Sequence, residues 1–139
     1  MTAVGVPSLA AMIKTSLIPT FKYRDAPAAI DLLCDAFGFE RHQIMEGPNG
    51  TIAHAELKLG DDMIMLGSLP APGDDDPLGL QAGGGSVYVI VDDVEAHHAR
   101  TTAAGVEVVL ELRDTEYGSR EYTARDPDGN LWSFGTYRP

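Results

Sequence analysis

Residues 25–40, DAPAAIDLLCDAFGFE, carry the pattern that decides the fold. Asp25 is a good helix N-cap, and Pro27 suits the first turn, where a missing N–H costs nothing. Ile30, Leu33, Cys34 and Phe37 fall at i, i+3, i+4 and i+7, so one stripe of the helix is apolar. Gly38 ends it. Before the helix, the β-branched and aromatic stretch Thr15–Tyr23 reads as a strand. After it, Glu40–Met45, Thr51–Leu59 and Met63–Gly67 read as three more strands. They are parted by turns at Gly47-Pro48-Asn49-Gly50 and Gly60-Asp61-Asp62. The order is β-α-β-β-β.

Residues 70–85, PAPGDDDPLGLQAGGG, hold Pro, Gly and Asp without periodicity and read as a linker or exposed loop. The pattern then restarts. Ser86–Val91 is an expected strand, and Asp92/Asp93 cap a helix to about Ala104, stopped by Gly105. Glu107–Arg113, Ser119–Arg125 and Leu131–Tyr137 are three further strands. An offset of 68 residues pairs Asp25 with Asp93, Gly50 with Gly118 and Gly67 with Gly135, while Gly38 pairs with Gly105 at 67. These are cap and turn positions, where backbone conformation dictates residue type. The chain therefore divides into an N-terminal extension (1–14), a first module (15–69), the linker (70–85) and a second module (86–139), with 15–139 forming one structural domain.

Composition narrows the function. The 139 residues are 44% apolar and 22% charged, which suits a globular domain. A net charge of −11 without any basic run disfavours nucleic acid and anionic membrane surfaces as partners. The acidic excess is heavier in the second half; solvation accounts for most of it, and attraction of a cationic ligand is the other reading, with Glu56 its clearest cavity-facing acid. The apolar stretch Ala3–Ile13 is broken by Gly5 and Pro7, has no basic residue before it, and reads as neither signal peptide nor membrane span. Cys34 is the single cysteine, which forbids an intrachain disulfide and points to the cytoplasm. It lies in the apolar helix stripe and reads as a buried, inert thiol. No P-loop, nucleophile elbow or HExxH is present.

Gly-Phe-Glu at 38–40, Val-Asp-Asp-Val at 91–94 and Arg-Asp-Pro-Asp-Gly-Asn-Leu-Trp at 125–132 stand in order on the two modules. Over residues 15–139 the chain resembles the vicinal oxygen chelate superfamily, the glyoxalase/bleomycin-resistance/dioxygenase group. The resemblance implies an α+β fold: two tandem βαβββ modules forming curved mixed sheets around a concave cavity. It also implies a homodimer. Metal-dependent members take one ligand from the first and one from the last strand of each module. Matched by motif, those positions are Ile18, Met65, Ser86 and Ser133, and the repeat agrees, since 18 and 86, and 65 and 133, are 68 apart. Alkyl, thioether and neutral hydroxyl groups are poor ligands for Zn²⁺, Ni²⁺ or Fe²⁺, so no metal and no other cofactor is expected.

Strand alternation assigns the faces. Ala53, Ala55, Leu57 and Leu59 form an apolar face, which leaves Ile52, His54, Glu56 and Lys58 toward the cavity. Val87, Val89 and Val91 face the core, opposite Ser86, Tyr88 and Ile90, and Trp132 shares a core face with Phe134. At offset 68, Thr20 pairs with Tyr88, His54 with Tyr122, and His98 with core-facing Ile30. His98 therefore reads as a packing histidine. The candidate ligand-binding residues are Ile18, Thr20, His54, Glu56, Met65, Ser86, Tyr88, Tyr122 and Ser133.

The leading expectation is a small-molecule binding protein similar to the bleomycin-resistance branch, an antibiotic-resistance type. It would sequester a bulky, partly apolar compound without metal. The alternative is a glyoxalase-like lyase or isomerase with a non-standard site, in which His54 or Glu56 is the base and Tyr122 a hydrogen-bond donor. A purely structural or partner-binding domain is the third reading.

Overall fold

The computed structural model describes residues 5, 6, 8 and 16–139. Two modules repeat the same order. The first holds β1 (Thr20–Tyr23), α1 (Ala26–Phe37), β2 (Glu40–Glu46), β3 (Ile52–Leu59) and β4 (Asp62–Ser68). The second holds β5 (Ser86–Ile90), α2 (Val94–Ala103), β6 (Glu107–Asp114), β7 (Arg120–Arg125) and β8 (Leu131–Gly135). Each module builds one four-stranded mixed sheet, ordered β1-β4-β3-β2 and β5-β8-β7-β6. In each, the first strand lies parallel to the last and the other pairs are antiparallel. The α+β tandem βαβββ architecture is therefore observed. Among the described residues no helix is long and apolar enough to cross a membrane.

The local signals act as their chemistry predicts. Asp25 accepts the Ala28 N–H at 3.1 Å, and Gly38 takes φ +90° while its N–H bonds the Leu33 carbonyl. Ile30, Leu33, Cys34 and Phe37 are all buried, and burial pushes the Cys34 thiol pKa up. Asp93 caps α2 through the Ala96 N–H. Two strand ends differ from the sequence expectation. β1 begins at Thr20, because Pro19 has no N–H to offer and contributes only its carbonyl, which accepts from Met65. Thr15 and all of the 1–14 extension except Gly5, Val6 and Ser8 lie outside the described residues. β8 ends at Gly135, and the Tyr137 N–H turns instead to the Tyr88 hydroxyl.

α2 is far less apolar than α1, and its polar side chains have a specific task. A helix leaves its last four carbonyls without partners. In α1 these belong to Cys34, Asp35, Ala36 and Phe37. Arg100 donates to the first two at 3.1 and 3.0 Å, Thr101 to the third at 3.3 Å and His97 Nε2 to the fourth at 2.9 Å. Counted from the caps Asp25 and Asp93, His97 stands in the place of buried Ala29 and His98 in that of Ile30, where its ring packs edge-on against Tyr122 at 4.9 Å. His98 also reaches Glu111 at 3.1 Å. Burial holds the His97 pKa below its ordinary value, so the ring is neutral at pH 7. With Nε2–H donating to Phe37, Nδ1 accepts from the Tyr122 hydroxyl at 2.5 Å.

The apolar faces of both sheets and α1 share one core. Trp132 is fully buried against Phe21, Phe37 and Phe39 at ring-centre distances of 5.2, 5.6 and 5.7 Å. Asp126, in the turn before β8, accepts from Tyr23 Oη (2.6 Å), Asn130 Nδ2 (3.0 Å) and Trp132 Nε1 (3.1 Å). One buried carboxylate thus ties β1 of the first module to the second.

Candidate functional site

The outer face of the first sheet carries four of the nine candidates, Thr20, His54, Glu56 and Met65. Thr20 pairs with Met65, Met65 with Glu56, and Glu56 with Gln43, so these four form one row across the strands. His54 stands two residues from Glu56 on the same face and donates through Nε2 to Glu56 Oε2 at 2.9 Å. That bond orients the ring and leaves Nδ1 as its free nitrogen. Thr20, His54 and Met65 line a cavity of about 250 Å³, closed on one side by Leu80 and Gln81 of the linker. A second hollow of about 300 Å³ lies between the modules, with Leu59, Met63 and Ile64 facing Val87, Val89 and Tyr88.

One inserted residue alters the expected face of β3. Met45 pairs with His54 and Glu46 with Ile52, which leaves Ala53 unpaired in a bulge. Ile52 is therefore buried and Ala53 exposed, the reverse of simple alternation, and Ala53 joins His54 in the cavity wall. Residues 54–59 keep their expected faces.

The same effect relocates Tyr122. Leu66 and Phe134 correspond at offset 68, yet Leu66 pairs with Ala55 and Phe134 with Tyr122, which are 67 apart. Tyr122 is thus the counterpart of Ala55, not His54, and a one-residue slip reverses the face. It is fully buried, stacked on Phe134 at 5.2 Å and bonded to Thr101 at 2.8 Å and to His97. It has no place in the cavity. The counterparts of His54 and Glu56 are Glu121 and Thr123.

The second sheet holds the remaining candidates apart from the first group. Ser133 bonds Thr123 at 2.8 Å, and Ser86 lies exposed at the start of β5. Tyr88 donates to Glu121 Oε2 at 2.6 Å, and the same buried carboxylate receives Tyr117 at 2.7 Å and Ser119 at 2.9 Å. Burial and the Glu121 bond push the Tyr88 phenol up to about 12. For Glu121 itself burial raises the pKa, but the three hydroxyl donors and Arg113 outweigh it and hold the carboxyl below its ordinary value. Ile18 lies in coil before β1, exposed.

This arrangement needs glycine at 135. A Cβ there would sit 2.2 Å from Tyr88 Oη. Gly135→Ala is expected to displace the phenol, lower its pKa from about 12 toward the ordinary 10, and cost about 1–3 kcal/mol. Tyrosinate absorbance and urea unfolding measure the two effects.

The four positions matched to the family's metal ligands do not fit a divalent ion. Ile18 has no donor atom, Met65 offers a thioether, and Ser86 and Ser133 offer neutral hydroxyls, one of them engaged by Thr123. Among the described residues, no group of three or more His, Cys, Asp or Glu is arranged to hold a metal.

Lys22 escaped the sequence reading, although it stands two residues from Thr20 on the same strand face and lines the same cavity. Leu80 and Gln81 escaped it too, because a loop without periodicity gives no sign of where it folds back.

The family model for the Glyoxalase/Bleomycin resistance protein/Dioxygenase superfamily matches residues 20–134. An uncharacterized protein of Mycobacterium tuberculosis is 30% identical over 132 residues, spanning 92% of this chain and 78% of its own. Among solved structures, TioX from Micromonospora sp. ML1 is 33% identical and superposes with a TM-score of 0.76, covering 89% of this chain and 99% of TioX. Lactoylglutathione lyase from Agrobacterium tumefaciens, at 23% identity and TM-score 0.65 over 88% of this chain and 93% of its own, shares the fold.

Proposed function

The chain belongs to the Glyoxalase/Bleomycin resistance protein/Dioxygenase superfamily, and from that premise we propose that it is a small-molecule binding protein sequestering a partly apolar compound through side chains rather than through a metal. The observation that carries this reading is the cavity of about 250 Å³ that gathers Thr20, His54 and Met65 on the open face of the first sheet. A mostly apolar hollow with a few polar groups is the usual form of a small-ligand site. The donor chemistry of Ile18, Met65, Ser86 and Ser133 supports binding without a metal. Met45, Tyr88, Ile90 and Leu110 are exposed apolar residues on the sheets, and a second copy of the chain would cover such surface.

Native mass spectrometry of untreated protein tests these points together. The expected result is a dimer carrying a noncovalent small-molecule adduct, lost when Met65→Trp fills the cavity. A metal-loaded protein without an organic adduct would overturn the reading.

One observation favours a second reading, an enzyme of the lyase or isomerase type. His54 oriented by Glu56 at 2.9 Å has the form of a general base with its positioning carboxylate. Tyr122 takes no part in it. Turnover unaffected by the combined His54→Ala and Glu56→Ala substitutions would remove this alternative.

A further inference from the structure

The internal repeat makes the first cavity intelligible. In the second module the equivalent space is filled by the protein itself: the Tyr88 side chain crosses the sheet and places its hydroxyl over Gly135, bonded to Glu121. In the first module Thr20 stands in the place of Tyr88, Gly67 in that of Gly135 and His54 in that of Glu121. Threonine is too short to cross the sheet; the Ala53 and Ile52 carbonyls and Lys22 Nζ close on Gly67, and the open space lies beside them, lined by Thr20, Lys22, His54 and Met65. A hollow of roughly 150 Å³ holds a benzene ring, and this one measures about 250 Å³.

Its polarity is also reversed. Around Tyr88 the fixed group is a carboxylate that receives donors. In the first module, Lys22 Nζ lies 3.3 Å from the point where a Cβ on Gly67 would stand, and no hydrogen bond or ion pair engages it among the described residues. The ionisable groups lining the cavity are Lys22 and His54, and no carboxylate lines it. Glu56, behind His54, is held by the imidazole. In a chain of net charge −11, the cavity that gathers the candidate residues thus presents a free ammonium.

The geometry points to an aryl compound bearing an anionic oxygen as the ligand of this cavity, its ring lying against Thr20 and Met65 and its charge meeting Lys22. The inference rests on the small-molecule reading and names the ligand's chemical class.

Calorimetric titration with benzoate, and with benzylamine as a cation on the same ring, tests it. Benzoate is expected to bind at one site per chain, with benzylamine at least about tenfold weaker. Lys22→Met should weaken benzoate about tenfold or more, the loss of one charge-assisted hydrogen bond. Thr20→Tyr, which supplies the ring that the second module already has, should abolish binding while leaving unfolding unchanged, since Thr20 is exposed. Benzoate binding that survives Thr20→Tyr, or survives Lys22→Met undiminished, overturns the inference. If benzylamine binds, is lost in Thr20→Tyr, and benzoate does not bind, the anionic class is wrong while the small-molecule reading stands. If neither probe binds and untreated protein carries no adduct, both fall.

Discussion

Replacing Asp126 by alanine is expected to destabilise the protein by about 4 kcal/mol, a large share of a typical domain's stability. The carboxylate is 3% exposed and accepts from three side chains, Tyr23, Asn130 and Trp132, and from the backbone N–H groups of Asp128 and Asn130. Alanine would leave these buried donors unpaired, at about 1–3 kcal/mol each before relaxation and non-additivity. Burial, followed by the Asp126 bond, drives the Tyr23 phenol pKa far up, so Tyr23 stays a donor throughout the accessible pH range. Asp126→Asn keeps one acceptor oxygen and should lose roughly half as much. Tyr23→Phe removes a single bond joining the modules and should cost about 1–2 kcal/mol. Asp92→Ala, which breaks an exposed pair with Arg138, should leave the urea midpoint unmoved. Equal midpoints for Asp126→Ala and wild type would show that the carboxylate does not hold the modules together.

The elements legible in the sequence are those whose cause is local. Asp25, Pro27, Gly38 and Asp93 act on backbone within a few residues, so their chemistry announces helix starts and stops. The row of Thr20, Met65 and Glu56 was legible because alternation holds along each strand segment that carries it. What alternation cannot reveal is an inserted or deleted residue. Nothing about Ala53 marks it as a bulge, since alanine suits either face. The change from offset 68 to 67 between β8 and β7 leaves no turn residue displaced to betray it. Long-range pairing was equally hidden. That His97, Arg100 and Thr101 cap the end of α1 depends on how the two helices meet, and so does the contrast between a space filled by Tyr88 and one left open by Thr20.

Tyr122 is where that hidden slip has its largest measurable consequence. On the cavity face it would be a binding or proton-donating residue, dispensable for folding. In the core it should be the reverse. Its ring is fully buried against Phe134, and its hydroxyl links Thr101 to His97, two of the residues that cap α1. Burial pushes its phenol up to about 12, so it remains a donor to His97 at any pH near neutrality. Tyr122→Ala is therefore expected to cost about 3–5 kcal/mol, the range for emptying an aromatic site in a packed core. Tyr122→Phe keeps the ring and should cost about 1–2 kcal/mol, from leaving Nδ1 of His97 without its donor, while the Thr101 hydroxyl keeps the Ala36 carbonyl. Because the phenylalanine variant stays folded, its affinity for benzoate separates the two placements. An unchanged affinity with a lowered unfolding midpoint is the core result. A lost affinity with unchanged stability would return Tyr122 to the cavity, and with it the parity that the strand register excludes.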